Sequence, residues 1–528
     1  MENDTDKTNL RGIGHLISGD ISNKLEFKLF SDSNVNVGDF VLVEDQYHGI
    51  PNHFVGRVTN IKLRTLGRED FLTEMSNQIE VSPMEVNPYE FRDSRSEILA
   101  RIAEISLIGI LNKGNIAPPK KIPNHLSPVQ IPSVQQMDWI SSKGDVEIGK
   151  LRAEMTGEGD IPILLDSEIL VKKHLFVAAM TGSGKTVTVK TLIAGLYKTD
   201  KYGILIFDVH GEYFYPLKNN SKGLNELDNE NVVIYGLGDK VDKGNQILIN
   251  YRHITYGDLL YFYDWSSPQR EALGIIFSDN EINNDYDHPL EYINETKPFD
   301  MKKEYGINIE TGNVLKRRIK QIIDGNLDFI TSDDKENLFT KIIDDLRFKR
   351  IVIIDFTRLS ERSENILINI LSRRVLNHNK QATQKSENPN NIFIVLEEAQ
   401  RFLDPAESQN KGVMRELVRE GRKFGVGLGA VTQIPRFFDE RILSQFNTYI
   451  ILKLTNSSDR NILEGGSPQN ISDMFTEIAT LYPGEAVIVG EAIPLALPVK
   501  IHNFDDLDLK KYRRESDDIN VSKDMGAF

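Results

Sequence analysis

HLFVAAMTGSGKTVTVKTL, residues 174–192, decides the fold of this 528-residue chain. Leu175 to Ala179 is a short apolar run, read as a buried strand. Thr181-Gly182-Ser183-Gly184 follows as a turn with two glycines. Lys185-Thr186 then opens a segment whose apolar positions Val187, Val189, Leu192 and Ile193 have helical spacing. Strand, glycine turn, Lys-Thr and helix make a phosphate-binding loop. The glycines let backbone N–H groups curl around phosphate oxygens, and the helix N-terminus adds the positive end of its dipole. Thr181, Gly182, Ser183, Gly184, Lys185, Thr186 and Val187 are the expected ATP-binding residues. Lys185 is expected to reach the β- and γ-phosphates, and the Thr186 hydroxyl to hold Mg²⁺. The first glycine of the usual loop pattern is Ala179 here, which costs no ligand.

A phosphate loop needs a carboxylate for Mg²⁺ and a second to orient or deprotonate water. Three later strands end in acid: Phe207-Asp208, Ile354-Asp355 and Leu396-Glu397-Glu398. Only the third offers two adjacent carboxylates, which diverge at a strand end. Glu397 is assigned to the Mg²⁺ shell and Glu398 as general base, while Asp355 is expected to cap the next turn. Asp208 opens Asp-Val-His-Gly-Glu-Tyr, with His210 and Glu212 too few for a metal site of their own. Three readings of that cluster stay open: beside the nucleotide, facing a channel, or local turn chemistry. Gln433 ends a strand (Gly429-Ala430-Val431-Thr432) and is expected to sense the γ-phosphate or hold the water. Before it, Arg415, Arg419 and Arg422 share one helical face. A phosphoryl-transfer site needs extra positive charge, often from a neighbouring chain. Arg422, beside Gly421 at the helix end, is taken as that catalytic finger, with Arg419 second.

Composition bounds the rest. The hydrophobic fraction of 40% suffices for ordinary cores. No apolar run approaches the roughly 18 residues of a membrane span, and the acidic start MENDTDKTNL is no signal peptide. The absence of cysteine excludes disulfides and thiolate metal sites and fits a cytoplasmic protein. The net charge of −15 argues against a surface coated by DNA, so any nucleic-acid contact must be local, such as a lined channel. Basic residues such as Lys218 and Arg436 are candidates for such a lining.

The expected fold class is α/β: a RecA-like phosphate-loop core with an N-terminal small β-barrel and a helical insertion. Alternating runs at Leu25-Phe27-Leu29, Phe40 to Val43 and Phe54 to Leu63 predict the barrel over 1–115, and Ile98 to Leu111 reads as a further strand. Pro118, Pro119, Pro123, Pro128 and Pro132 mark 116–150 as a linker. Strand–helix alternation assigns 151–215 and 346–502 to the core. Residues 216–345 read as a helical insertion, and 503–528 as a polar tail.

Taken together these residues resemble the HerA family of hexameric DNA translocases, in the wider HerA–FtsK group. The matching stretches are 174–186, Asp208 to Tyr213, VLEEAQRF (395–402), EGRKFGVGLGAVTQ (420–433) and LSQFNTYIILKLTNSSD (443–459). The departures are Ala179 and Gln400, where the family usually has histidine. The resemblance implies a RecA-like core, a homohexameric ring with ATP at subunit interfaces, and DNA through a central channel. It also implies an effector on the barrel side. In archaeal members this is the NurA nuclease, acting in end resection; in bacterial relatives it is a sirtuin-like NADase or a nuclease, acting in antiphage defence. The Asn- and Lys-rich composition is unlike a hyperthermophile's and tilts the expectation toward the defence setting. Two further readings stand beside the motor: a scaffold ring that assembles and activates the effector, with ATP as a switch, and a conjugation-type coupling ATPase, which usually carries a membrane anchor.

Overall fold

The computed structural model describes residues 12–514, apart from 66–98, 154–158, 216–220, 404–411 and gaps of one to three residues. Lys218 and 515–528 therefore lie outside the described residues.

Strands β1 (Gly12–Ser18), β2 (Leu25–Leu29), β3 (Phe40–Tyr47), β4 (Ile50–Thr65), β5 (Leu99–Asn112), β6 (Asn115–Ala117) and β7 (Pro128–Gln130) form the N-terminal sheet. Its order is β2-β1-β7-β3-β4-β5-β6, and β2 also pairs with β5, so six strands close into a barrel. Closure removes the sheet edges. Ile13, Leu16, Phe27, Val41, Val43, Val58, Ile105 and Val129 fill the inside, while Phe40, Leu42 and Val55 face outward onto the core domain.

Here the structure corrects the linker reading of 116–150. β7 lies inside that stretch and joins β1 to β3, so the barrel needs it to close. The proline signal misled because Pro128 is the strand's first residue, where a missing N–H is tolerated. The same stretch ends in β8 (Val146–Leu151), which belongs to the core sheet.

That second sheet continues with β9 (Pro162–Leu165), β10 (Leu175–Ala178), β11 (Gly203–Asp208) and β12 (Val232–Tyr235). After a short pair, β13 (Ile249–Asn250) with β14 (Ile330–Thr331), it adds β15 (Ile351–Asp355), β16 (Ile392–Leu396), β17 (Val426–Thr432) and β18 (Thr448–Ile451). A hairpin of β19 (Glu485–Gly490) and β20 (Leu497–Ile501) ends it. The order of the eleven strands is β12-β15-β11-β16-β17-β10-β18-β19-β20-β8-β9. The pairings from β12 to β18 are parallel, and those beyond are antiparallel. Alternation along each central strand feeds two cores. Phe176 and Ala178 face the helical lobe, whereas Leu175 and Val177 face the barrel side.

Two more expectations are revised. The region 216–345 is largely helical, as in Ser267–Ser278, Ile309–Ile323 and Leu338–Arg347, but it returns β12 to the edge of the main sheet. A four-residue apolar run does not announce itself as strand or helix by periodicity. The polar tail also packs on its own chain as far as Arg514. Phe504 is fully buried, and Arg514 lies 4.2 Å over the Tyr197 ring and donates to the Lys349 carbonyl. No helix among the described residues is long and apolar enough to cross a membrane.

Candidate active site

Parallel strands bring their C-terminal ends to one rim, and the turns that leave β10, β11, β16 and β17 meet there. The phosphate loop follows β10. Gly182 and Gly184 take φ of 79° and 96°, the left-handed region that favours glycine. A Cβ on Gly182 would touch nothing within 4 Å, so the space above the loop is open. Gly184 caps the helix Lys185–Lys198. Ala179 is wholly buried in the core, and its N–H donates to the Thr432 carbonyl at 3.1 Å. The missing first glycine is thus a packing position.

Lys185 Nζ lies 3.3 Å from Glu398 Oε1 and 3.8 Å from Glu397 Oε1. The two carboxylates do diverge. Glu397 is fully buried, whereas Glu398 is partly exposed and turns through φ 47°. Burial pushes the Glu397 carboxyl up to about 8, against the pull of the Lys185 charge. The Tyr213 hydroxyl donates to Glu397 Oε1 at 2.9 Å, and Oε2 is buried without a hydrogen-bond partner. Burial also raises Glu398, but the hydrogen bond from Gln400 and the nearby Lys185 outweigh it and hold that carboxylate below its usual range. Gln400 Nε2 donates to Glu398 Oε2 at 2.6 Å and its Oε1 accepts from Thr432 at 2.7 Å. The glutamine that departs from the resemblance therefore still grips the acid. Gln433 bridges the two halves: Nε2 donates to Glu398 Oε1 at 3.1 Å, and Oε1 accepts from the Thr181 hydroxyl at 2.6 Å.

The Asp208 cluster divides. Asp208 is buried and accepts the N–H groups of Gly211, Glu212 and Tyr213 at 2.8, 3.1 and 3.0 Å. Burial raises its carboxyl to about 6 despite those bonds. Glu212 instead accepts from the Thr186 hydroxyl at 2.5 Å, and His210 Nε2 stands 3.8 Å from Glu398. Asp355 caps its own turn through the Thr357 N–H at 2.8 Å, as expected. Glu212, Tyr213 and Gln400 are the contacts that sequence reasoning left without a role.

Among the described residues no three His, Asp or Glu side chains converge as a self-sufficient metal site. Mg²⁺ does not require one, because it binds through one or two carboxylates plus substrate phosphates. The Thr186 hydroxyl oxygen and the orphaned Glu397 oxygen are the hard donors that suit it.

Arg422 is not at this rim. It is exposed on the short 3₁₀ turn Gly421–Phe424 that precedes β17, where it acts electrostatically on His174 and Glu491. That is the N-terminal rim, one strand length away, roughly 13 Å for four residues. Arg419 is exposed one turn earlier, whereas Arg415 buries Nε and Nη2 without partners. Arg436, offered as a channel residue, is tied to Asp459 at 3.0 Å.

Residues 146–375 match the family described as "Helicase HerA, central domain". The chain is 27% identical to the DNA double-strand break repair helicase HerA of Sulfolobus acidocaldarius over 93% of both chains. It is 27% identical to the helicase of the same name from Pyrococcus furiosus, over 91% of this chain and 90% of that one. Among solved structures, VirB4 of Thermoanaerobacter pseudethanolicus aligns with 68% of this chain and 97% of its own, at 15% identity and a TM-score of 0.47. Residues 146–375 are thus similar to the central domain of the HerA helicases, and the chain as a whole is similar to HerA helicases along about nine-tenths of its length.

Proposed function

We propose that this protein is an ATP-driven DNA helicase or translocase that works as a homohexameric ring in the cytoplasm. The convergence of Lys185, Thr186, Glu397, Glu398 and Gln433 at one rim of the sheet carries this reading. ATP lies along Thr181 to Val187, with Lys185 on its outer phosphates. Thr186 and Glu397 would hold Mg²⁺, which when bound would supply positive charge against the phosphate oxygens. Glu398 takes the proton of the attacking water, which Gln433 helps place. Lys185 supports the charge that develops on the phosphate oxygens. Arg422 faces away from its own pocket and completes that of the next subunit, so hydrolysis needs the ring. DNA passes through the channel, and an effector docks on the barrel side. By resemblance the effector is a NurA-like nuclease, or a sirtuin-like NADase or other nuclease in antiphage defence.

The net charge of −15 also favours a second reading, an ATP-switched scaffold ring that activates its effector without moving DNA. One set of assays separates the two. Lys185→Ala should abolish hydrolysis, and Glu398→Gln should retain ATP with turnover down about 10²–10⁴-fold. If the wild type hydrolyses ATP and activates its effector while strand displacement and translocation stay at background, the scaffold stands and the motor falls.

A further inference from the structure

The turn leaving β11 has no role in the scheme above, yet it touches three members of the site. His210 stands by Glu398, Glu212 holds the Thr186 hydroxyl, and Tyr213 donates to Glu397. The turn is itself fixed. Three of its N–H groups are taken by buried Asp208, and Gly211 sits at φ 70°, where a Cβ would come within 2.7 Å of Thr357. Side chains carried by so constrained a backbone arrive at set positions.

A threonine hydroxyl has one proton to donate and two lone pairs to offer. At 2.5 Å the Thr186 proton is committed to Glu212, which leaves the lone pairs for a cation. We propose that Glu212 is a positioning residue: it locks the Thr186 hydroxyl rotor so that the oxygen is always presented as a ligand to the divalent cation of the bound nucleotide. This rests on the nucleotide reading above. Without the acceptor, the hydroxyl is free to turn its proton toward a phosphate oxygen, and the cation loses a prearranged partner. Outer partners that orient a ligand in this way typically matter by about 10–100-fold in metal affinity.

Equilibrium binding of a fluorescent ATP analogue to the full chain, titrated with magnesium and repeated in EDTA, tests this. Glu212→Ala should raise the magnesium needed for half-maximal binding about 10–100-fold and leave the affinity in EDTA unchanged. Glu212→Gln keeps an acceptor without the charge and should recover most of the loss. In a Thr186→Val background, Glu212→Ala should add nothing, because the rotor is gone. An unchanged magnesium midpoint, an equal loss in EDTA, a glutamine variant as poor as alanine, or additive losses would each overturn the assignment. A wild-type chain with no magnesium-dependent nucleotide binding would instead bring down the nucleotide reading, and this inference with it.

Discussion

Glu397 is a carboxyl that the fold holds at about 8, so the cation-free protein keeps a proton there that the unfolded chain releases near 4.5. Binding more protons when folded means that this group's contribution to stability falls as pH rises from about 4.5 through 8. In the proposed role of Glu397 as a cation ligand the ionised form is needed, so the magnesium required for nucleotide binding should drop as pH climbs toward 8. Tyr213 favours the ionised form through its hydrogen bond. Tyr213→Phe should therefore shift that whole curve to higher pH, as read by magnesium titrations across pH. His174 behaves in the opposite way. It is buried with φ 64°, its Nδ1 accepts the Leu428 N–H at 3.0 Å, and burial lowers its pKa from 6.5 to about 4. Stability is then lost as pH falls from about 6.5 to 4, by on the order of 3 kcal/mol once complete. His174→Asn, which tolerates the left-handed backbone and keeps an acceptor, should flatten that acid limb of the unfolding curve. Lys185, Thr186 and the Glu397-Glu398 pair were legible in the sequence because each sits in a local pattern. The partners Glu212 and Tyr213 were not, since their contacts span 26 and 184 positions and depend on which strands become neighbours.

At the scale of elements, the strands with strict alternation or long apolar runs declared themselves, and the short ones did not. β7 hid behind a proline and β12 behind a four-residue run, and both owe their place to partners far along the chain. The helix Val413–Glu420 and its 3₁₀ extension end at Gly425, with φ 70°. A Cβ there would come within 2.9 Å of the Asn390 carbonyl. Gly425→Ala combines a left-handed alanine with that clash and should cost about 1–2 kcal/mol, measured by denaturant unfolding. Because this turn carries Arg422, the proposed trans role of that arginine predicts that turnover falls further than the loss of folded protein explains.

Across the whole molecule, the barrel is clasped to the core by charge as well as by apolar contact. Glu477 is buried between Arg57 of β4 and Arg152, both of which donate to it, and Gly38 leaves room for its carboxylate. Glu477→Ala leaves the buried Arg57 guanidinium without its charge partner, whereas Arg152 keeps Glu485 within 3.9 Å, and should destabilise the protein by about 3–5 kcal/mol, with the barrel melting apart from the core in calorimetry. The two rims of the core sheet have a consequence of their own. In the ring proposed above, with Lys185 gripping triphosphate at one rim and Arg422 serving the next subunit from the other, each subunit would be a brick with a head and a tail. Lys185→Ala keeps a sound tail, and Arg422→Ala a sound head. Mixed in equal parts, two dead preparations should wake each other, since random placement in a head-to-tail circle leaves roughly a quarter of the pockets whole.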